Sequence, residues 1–247
     1  MHELENKVVL VTGGSRGLGL AMAEGFAAQG ARTIVASRKL EACREVSERL
    51  TRTYGAESMP YAFNVSRWAE CDALVEAAFD AFGGVDVLVN NAGLSPLYDT
   101  LDQVSEELFD KTIAINLRGP FRLSSLIGTR MAEQGSGSII NISSIGAMRP
   151  DPIALPYAAA KAGLHALTEG FARAFGPAVR VNTIQVGPFL TDVSAHWDAE
   201  YRQKLEATLA LGRCAEPEEV VGAALHLAGA TSSFTTGALL RVDGGWP

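Results

Sequence analysis

Residues 7–36 read KVVLVTGGSRGLGLAMAEGFAAQGARTIVA, and this stretch decides the fold. A short β-branched run up to Thr12 enters a glycine-rich segment. Leu18, Met22 and Phe26 then recur at helical spacing, and residues 32–36 are strand-like again. Strand, glycine turn, helix, strand is one βαβ unit. A polar helical segment from Lys39 to Arg52 follows, and the alternation continues along the chain. MPYAFNV (59–65) precedes a helix over 68–82, and VDVLVN (85–90) precedes a long helix from about Asp102 to Met131. SIINIS (138–143) leads to a helix from about Leu155 to Phe175. VRVNTIQV (179–186), helical material around 198–229 and a last strand ALLRV (238–242) complete the series. About seven short strands separated by helices predict a doubly wound α/β fold, its mostly parallel sheet covered by helices on both faces. No stretch has the length or bias of a linker, so one domain is expected over 1–247.

Composition narrows the function. With 247 residues, 47% of them hydrophobic, the chain has material for one large core. Its 21 basic and 28 acidic side chains give a net charge of −7, a poor balance for nucleic acid or anionic lipid, which need basic surface. No apolar run reaches the ~20 residues that span a bilayer, and MHELENKVVL lacks a secretory-signal pattern. The expectation is a cytoplasmic protein with neither a membrane nor a nucleic-acid partner. Cys43, Cys71 and Cys214 are far apart and form no CxxC pair, so free thiols are expected, with no disulfide and no metal.

In open parallel sheets ligands bind beyond the carboxyl ends of the strands. Chemistry is therefore sought in loops 12–19, 36–39, 64–67, 90–98, 143–156 and 186–200. The first, Thr12-Gly13-Gly14-Ser15-Arg16-Gly17-Leu18-Gly19, lets backbone N–H groups and a helix N-terminus approach a phosphate. Tyr157 and Lys161 stand four apart on a predicted helix and share a face. An ammonium beside a phenol favours the phenolate, which should bring the tyrosine pKa down from its ordinary ~10 toward a useful range. Asn116 is an awkward residue inside the predicted long helix, because its amide competes for backbone bonds.

Seven segments in register resemble the short-chain dehydrogenase/reductase family across nearly the whole chain: the TGxxxGxG loop from Thr12 to Gly19, Asn90-Asn91-Ala92-Gly93, Asn116, Asn141-Ile142-Ser143-Ser144, Tyr157-Ala158-Ala159-Ala160-Lys161, Arg180-Val181-Asn182 through Gly187, and Val242-Asp243-Gly244-Gly245. The resemblance implies a Rossmann-like single-domain fold and hydride transfer between a nicotinamide cofactor and a carbonyl or secondary alcohol. It assigns Tyr157 as the proton donor or acceptor and Ser144 as the hydroxyl that binds the substrate oxygen. Lys161 would assist the tyrosine and bond the cofactor ribose. Asn116 would bend its helix and hold a water that links Lys161 to solvent. Ser143 is read as a structural hydroxyl capping the turn, and His165 as structural or interfacial.

The same comparison implies cofactor contacts at Gly13, Ser15, Arg16, Gly17, Leu18 and Gly19, at Ser37 and Arg38, at Asn64 and Val65, at Asn91, Ala92 and Gly93, at Tyr157 and Lys161, and at Gly187, Phe189 and Thr191. Enzymes that prefer NAD usually end the second strand on an acid. Here the strand ends Ala36-Ser37-Arg38, and Arg16 and Arg38 are suited to clamp a 2′-phosphate, so NADP(H) is expected ahead of NAD(H). Asn64 stands where the family has aspartate; its amide oxygen can still accept a bond from the adenine. Val186 replaces a proline beside Gly187.

A lid is expected at 188–212. Its Phe189, Val193, His196, Trp197 and Tyr201 favour a bulky, partly apolar substrate, and equally would serve to pack the lid onto the body. Leu94, Leu97 and Met148 would line the pocket, with Arg149 either meeting an anionic group or facing water. The partner expected is a small carbonyl or alcohol. The alternatives are a 3-oxoacyl-carrier-protein reductase, disfavoured by the acidic balance, and a non-catalytic NADP-binding sensor, disfavoured by the intact Tyr157 and Lys161. The resemblance also implies a homotetramer or homodimer, built on the helices bearing Phe109, Ile113, Leu117 and Phe121 and bearing Leu164, Leu167 and Phe171, with a second contact near Arg241–Gly245.

Overall fold

The computed structural model describes residues 4–192, 194 and 197–247. Seven strands, β1 (Val8–Thr12), β2 (Arg32–Ser37), β3 (Ser58–Ala62), β4 (Val87–Asn90), β5 (Gly137–Ser144), β6 (Val179–Val186) and β7 (Leu239–Val242), form one sheet in the order β3-β2-β1-β4-β5-β6-β7. Every pairing is parallel. The chain builds outward from β1 to β3, then crosses back to lay β4 on the other side of β1. The loops after β1 and β4 thus meet at the reversal, where a crevice opens.

Strand alternation sends successive side chains to opposite faces, and both faces are covered. Val9, Val11, Val89, Ile140 and Ile184 enter a core with Met22, Phe26, Leu50 and Leu227. These come from α1 (Gly17–Ala28), α2 (Leu40–Tyr54) and α8 (Val221–Ala228). Leu10, Leu88, Ile139 and Val181 enter a second core with Leu74, Leu123, Ile127 and Met131, from α3 (Trp68–Phe82) and α5 (Gly119–Gln134). Each such side chain contributes roughly 1.5–3 kcal/mol on burial, so the two layers fix the sheet between them.

The long helix expected from Asp102 to Met131 is interrupted. A 3₁₀ turn at Leu101–Gln103 is followed by α4 (Glu106–Ile113), a π-helical segment at Ala114–Arg118, and only then α5. Two residues account for the break. The Asn116 amide donates to the Thr112 carbonyl one turn back, and Pro120, in the first turn of α5, has no N–H to continue the ladder. The strand expected over 59–65 stops at Ala62, because Asn64 turns the chain by accepting from both the N–H and the hydroxyl of Ser66. Helical material near 198–229 divides into α7 (Ala199–Thr208), a 3₁₀ turn at Pro217–Val220 and α8. α6 (Leu155–Phe175) matches its expected span. Among the described residues no helix is long and apolar enough to cross a membrane, and no cluster of His, Cys, Asp and Glu could hold a metal.

Candidate active site

The crevice begins as a cradle of backbone. Gly13 adopts φ +66°, and a Cβ on Gly19 would lie 2.3 Å from the Gly13 carbonyl oxygen, so a side chain at Gly19 would force this turn apart. α1 starts immediately afterwards with no capping side chain and no acid in its first turn, leaving its first N–H groups and partial positive charge for an anion. These features fit a nucleotide phosphate. The Thr12 hydroxyl accepts from the N–H groups of Asn91 and Ala92 and donates to the Val89 carbonyl, while the Asn91 amide donates to the carbonyls of Thr12 and Gly13. The glycine loop and the loop after β4 are therefore locked together.

At the far end of the cradle, the Ser15 hydroxyl donates to that of Ser37 across 2.9 Å, and Ser37 in turn lies 3.1 Å from Cys43 Sγ. Arg38 is exposed. Arg16 reaches the other way, to an ion pair with Asp192 at 2.9 Å, and a Cβ on Gly17 would lie 3.4 Å from the Thr191 methyl. The segment after Gly187 thus folds back over the start of α1. Leu18 is half-buried in α1.

The candidate catalytic residues gather where β5 ends and α6 begins. Ser144 is the last residue of β5, and Tyr157 and Lys161 lie on α6. A Cβ on Gly146 would sit 3.5 Å from Ser144 Oγ and 3.8 Å from the Tyr157 ring, so the two hydroxyl-bearing side chains stand close to each other. Lys161 is 4% exposed. Its Nζ donates to the Ile142 carbonyl at 2.7 Å and lies 5.7 Å from the Tyr157 ring centroid. Burial pushes the Lys161 pKa down to about 8. Beyond it, a Cβ on Gly93 would lie 3.2 Å from Asn116 Oδ1 and 3.8 Å from Lys161 Nζ. Asn116 accepts from the Leu94 N–H and donates to the Leu94 carbonyl, fixing the loop after β4 to the π-helical segment.

Four details depart from the sequence reading. Burial raises the Tyr157 pKa, with the Ser144 hydroxyl acting against it, so the expected downward pull of the ammonium does not prevail; Lys161 lies across the ring face and directs its charge to a carbonyl. The turn after β5 is capped by Ser144, which accepts from the Gly146 N–H; Ser143 instead lies 2.6 Å from His165 Nε2 on α6. The Asn64 oxygen, expected to be open, already accepts two bonds from Ser66, and the Val65 side chain is buried in the second core. Phe189 follows the packing alternative: it is buried in the first core while its neighbours Pro188 and Leu190 pair with Ala215. Leu164 is buried, so it cannot contribute to an outer contact face. Of the other lid residues, Trp197 and Tyr201 pack on each other with centroids 5.8 Å apart, and Val193 and His196 lie outside the described residues. Leu97 and Met148, on the loops after β4 and β5, are 67% and 62% exposed, and Arg149 is exposed next to Met148.

Tyr98 and Asp192 were not singled out from sequence. Asp192 adjoins Thr191 and carried that much signal; Tyr98 carried none, because its partners are more than fifty residues away.

A family model described as enoyl-(acyl carrier protein) reductase matches residues 13–247. The L-rhamnose 1-dehydrogenase (NAD(P)(+)) of Azotobacter vinelandii is 37% identical over 249 residues, covering 98% of this chain and 97% of its own. Human dehydrogenase/reductase SDR family member 4 is 34% identical over 247 residues, covering 99% of this chain and 88% of its own. A solved structure described as a candidate NAD(P)-dependent gluconate 5-dehydrogenase from Beutenbergia cavernae, with NADP bound at low occupancy, superposes with a TM-score of 0.94 at 31% identity, covering 99% of this chain and 98% of that one. With a seven-stranded parallel sheet, a glycine cradle at its switch point and relatives matched from end to end, the chain belongs to the short-chain dehydrogenase/reductase family of oxidoreductases, whose members act on alcohols and carbonyls.

Proposed function

We propose that the chain interconverts a small secondary alcohol and its carbonyl with a nicotinamide cofactor, NADP(H) in preference to NAD(H). The observation that carries the reading is the juxtaposition of Ser144, Tyr157 and a buried Lys161 beside a phosphate cradle. The nicotinamide, when bound, supplies the hydride chemistry. The chain's own groups do the rest. Ser144 holds the substrate oxygen and steadies negative charge as it develops there. Tyr157 delivers a proton to that oxygen in reduction and removes it in oxidation. Lys161, charged below about pH 8, supports the phenolate that remains. The cradle of Gly13–Gly19 and α1 would hold the phosphates, and Asn91–Gly93, Gly187 and Thr191 would border the nicotinamide half.

The NADP(H) preference is supported by Ser37 and the exposed Arg38 at the end of β2, with no acid there. Arg16 adds a second cation, one that a 2′-phosphate would have to draw away from Asp192. Arg38→Asp is expected to raise the NADPH KM well over tenfold and to move preference toward NADH, since a charge-assisted pair contributes ~1.5–3 kcal/mol. Equal KM values for both cofactors in the unmutated protein would overturn the preference.

A substrate with apolar bulk is supported by the exposed Leu97 and Met148 on the loops after β4 and β5. The exposed Asp99, Asp102 and Asp151 on the same two loops weigh against an acidic carrier protein. An oligomer, a tetramer or a dimer, is supported by the exposed Phe109 and Phe121 and by the Trp68–Phe121–Phe171 array on the outer face of α3, α5 and α6. Light scattering at micromolar concentration is expected to give two or four copies; a monomer would refute it.

A further inference from the structure

α6 carries both Tyr157 and Lys161, yet its own sequence caps its beginning poorly. The N-cap residue is Ala154, which has no side-chain acceptor, and Pro156 follows in the first turn. The missing acceptor comes from another loop. Tyr98, half-buried in the loop after β4, accepts from the Leu155 N–H at 2.8 Å and donates to the Pro152 carbonyl at 2.9 Å. One phenol thereby uses both its donor and its acceptor to close the crevice-lining loop against the first turn of α6, two residues from Tyr157. The same loop is held midway by Asn116 through Leu94, and at its start by Thr12. Its three anchors thus run from the phosphate cradle to the proton-transfer helix.

We propose that Tyr98 is a positioning residue, a cap supplied in trans that sets where α6 starts and so where the Tyr157 hydroxyl stands relative to Ser144. The inference rests on the reading of Tyr157 as proton carrier for its kinetic consequence, but not for the clasp itself. A hydroxyl moved by a fraction of an ångström loses the alignment that makes proton transfer effectively intramolecular, and a 1 Å displacement alone is worth on the order of 10²-fold. The α6 helix carries twenty-one residues and continues for five turns beyond this point, so loosening its first turn leaves the fold in place.

Tyr98→Phe keeps the ring and removes both bonds. Two measurements on the full-length protein test the role. Hydrogen–deuterium exchange is expected to speed up at least fivefold in peptides covering 152–158 while 221–228 stays unchanged; unchanged exchange at 152–158 would overturn the clasp whether or not any substrate is turned over. With a carbonyl that the unmutated protein reduces, kcat is expected to fall about tenfold while cofactor and substrate KM stay within twofold. A loss confined to substrate KM would make Tyr98 a substrate contact, and a kcat within twofold of native would make it a structural tie; either result overturns positioning. Ala154→Ser in the Tyr98→Phe background supplies a hydroxyl cap to the same turn and is expected to recover part of kcat; no recovery would point away from capping. Failure of every carbonyl with the unmutated protein would count against the proposed function and leave the exchange result to decide the clasp.

Discussion

Tyr157→Phe is expected to lower kcat by about 10³–10⁴-fold while the fold and NADPH affinity survive, because the substitution removes one hydroxyl and the proton-transfer role goes with it. The environment of that hydroxyl sharpens the expectation. Burial holds the Tyr157 pKa above its ordinary value and Ser144 works against the shift, so the protonated phenol dominates near neutral pH and reduction should be the faster direction there. Ser144→Ala removes a single oxyanion donor and is expected to cost about 10²–10³-fold. It also removes the acceptor for the Gly146 N–H, so its melting temperature should drop as well. Ser143→Ala leaves both reacting hydroxyls in place. Its loss of the contact with His165 should appear in stability, with little change in kcat. Carbonyl-dependent NADPH oxidation checks all three, and near-native kcat in Tyr157→Phe with a large loss in Ser143→Ala would show that the proton donor and the serine were both wrongly assigned.

Lys161→Met should separate activity from stability. Its charge is buried, and burial brings its pKa to about 8, against 10.5 for the free side chain. The folded protein therefore releases this proton more readily than the unfolded chain, and between about pH 8 and 10.5 the unfolded state binds the extra proton. Stability attributable to this group accordingly rises with pH across that window and is lowest at neutral pH, where keeping the ammonium buried costs on the order of 3 kcal/mol. Methionine fills similar volume without charge. The variant is expected to lose catalysis and cofactor affinity, yet to melt no lower than the parent at pH 7, even though the Ile142 carbonyl loses its donor. The difference in melting temperature between the two proteins should shrink from pH 8 to 10.5. A variant that melts well below the parent at pH 7 would show that the lysine's bond outweighs its desolvation.

Much of this molecule was legible in one dimension. The order of strands and helices follows from local period, since a two-residue or 3.6-residue repeat of apolar side chains is a property of neighbours in sequence. The parallel sheet follows too, because short strands joined by helices leave a buried parallel arrangement as the packing that covers both faces. The glycine cradle and the Tyr157–Lys161 pair were equally readable, being short segments whose spacing is their geometry. What spacing does not encode is which distant group occupies a bonding partner or excludes water. Arg16 meets Asp192 across 176 positions of sequence, and Tyr98 caps a helix that begins 57 residues later. The same limit applies to the tyrosine: counting residues put an ammonium beside it, whereas burial raises its pKa, with the Ser144 hydroxyl acting against the shift. Desolvation depends on every element that closes over a group, and only the assembled tertiary structure sums those contributions.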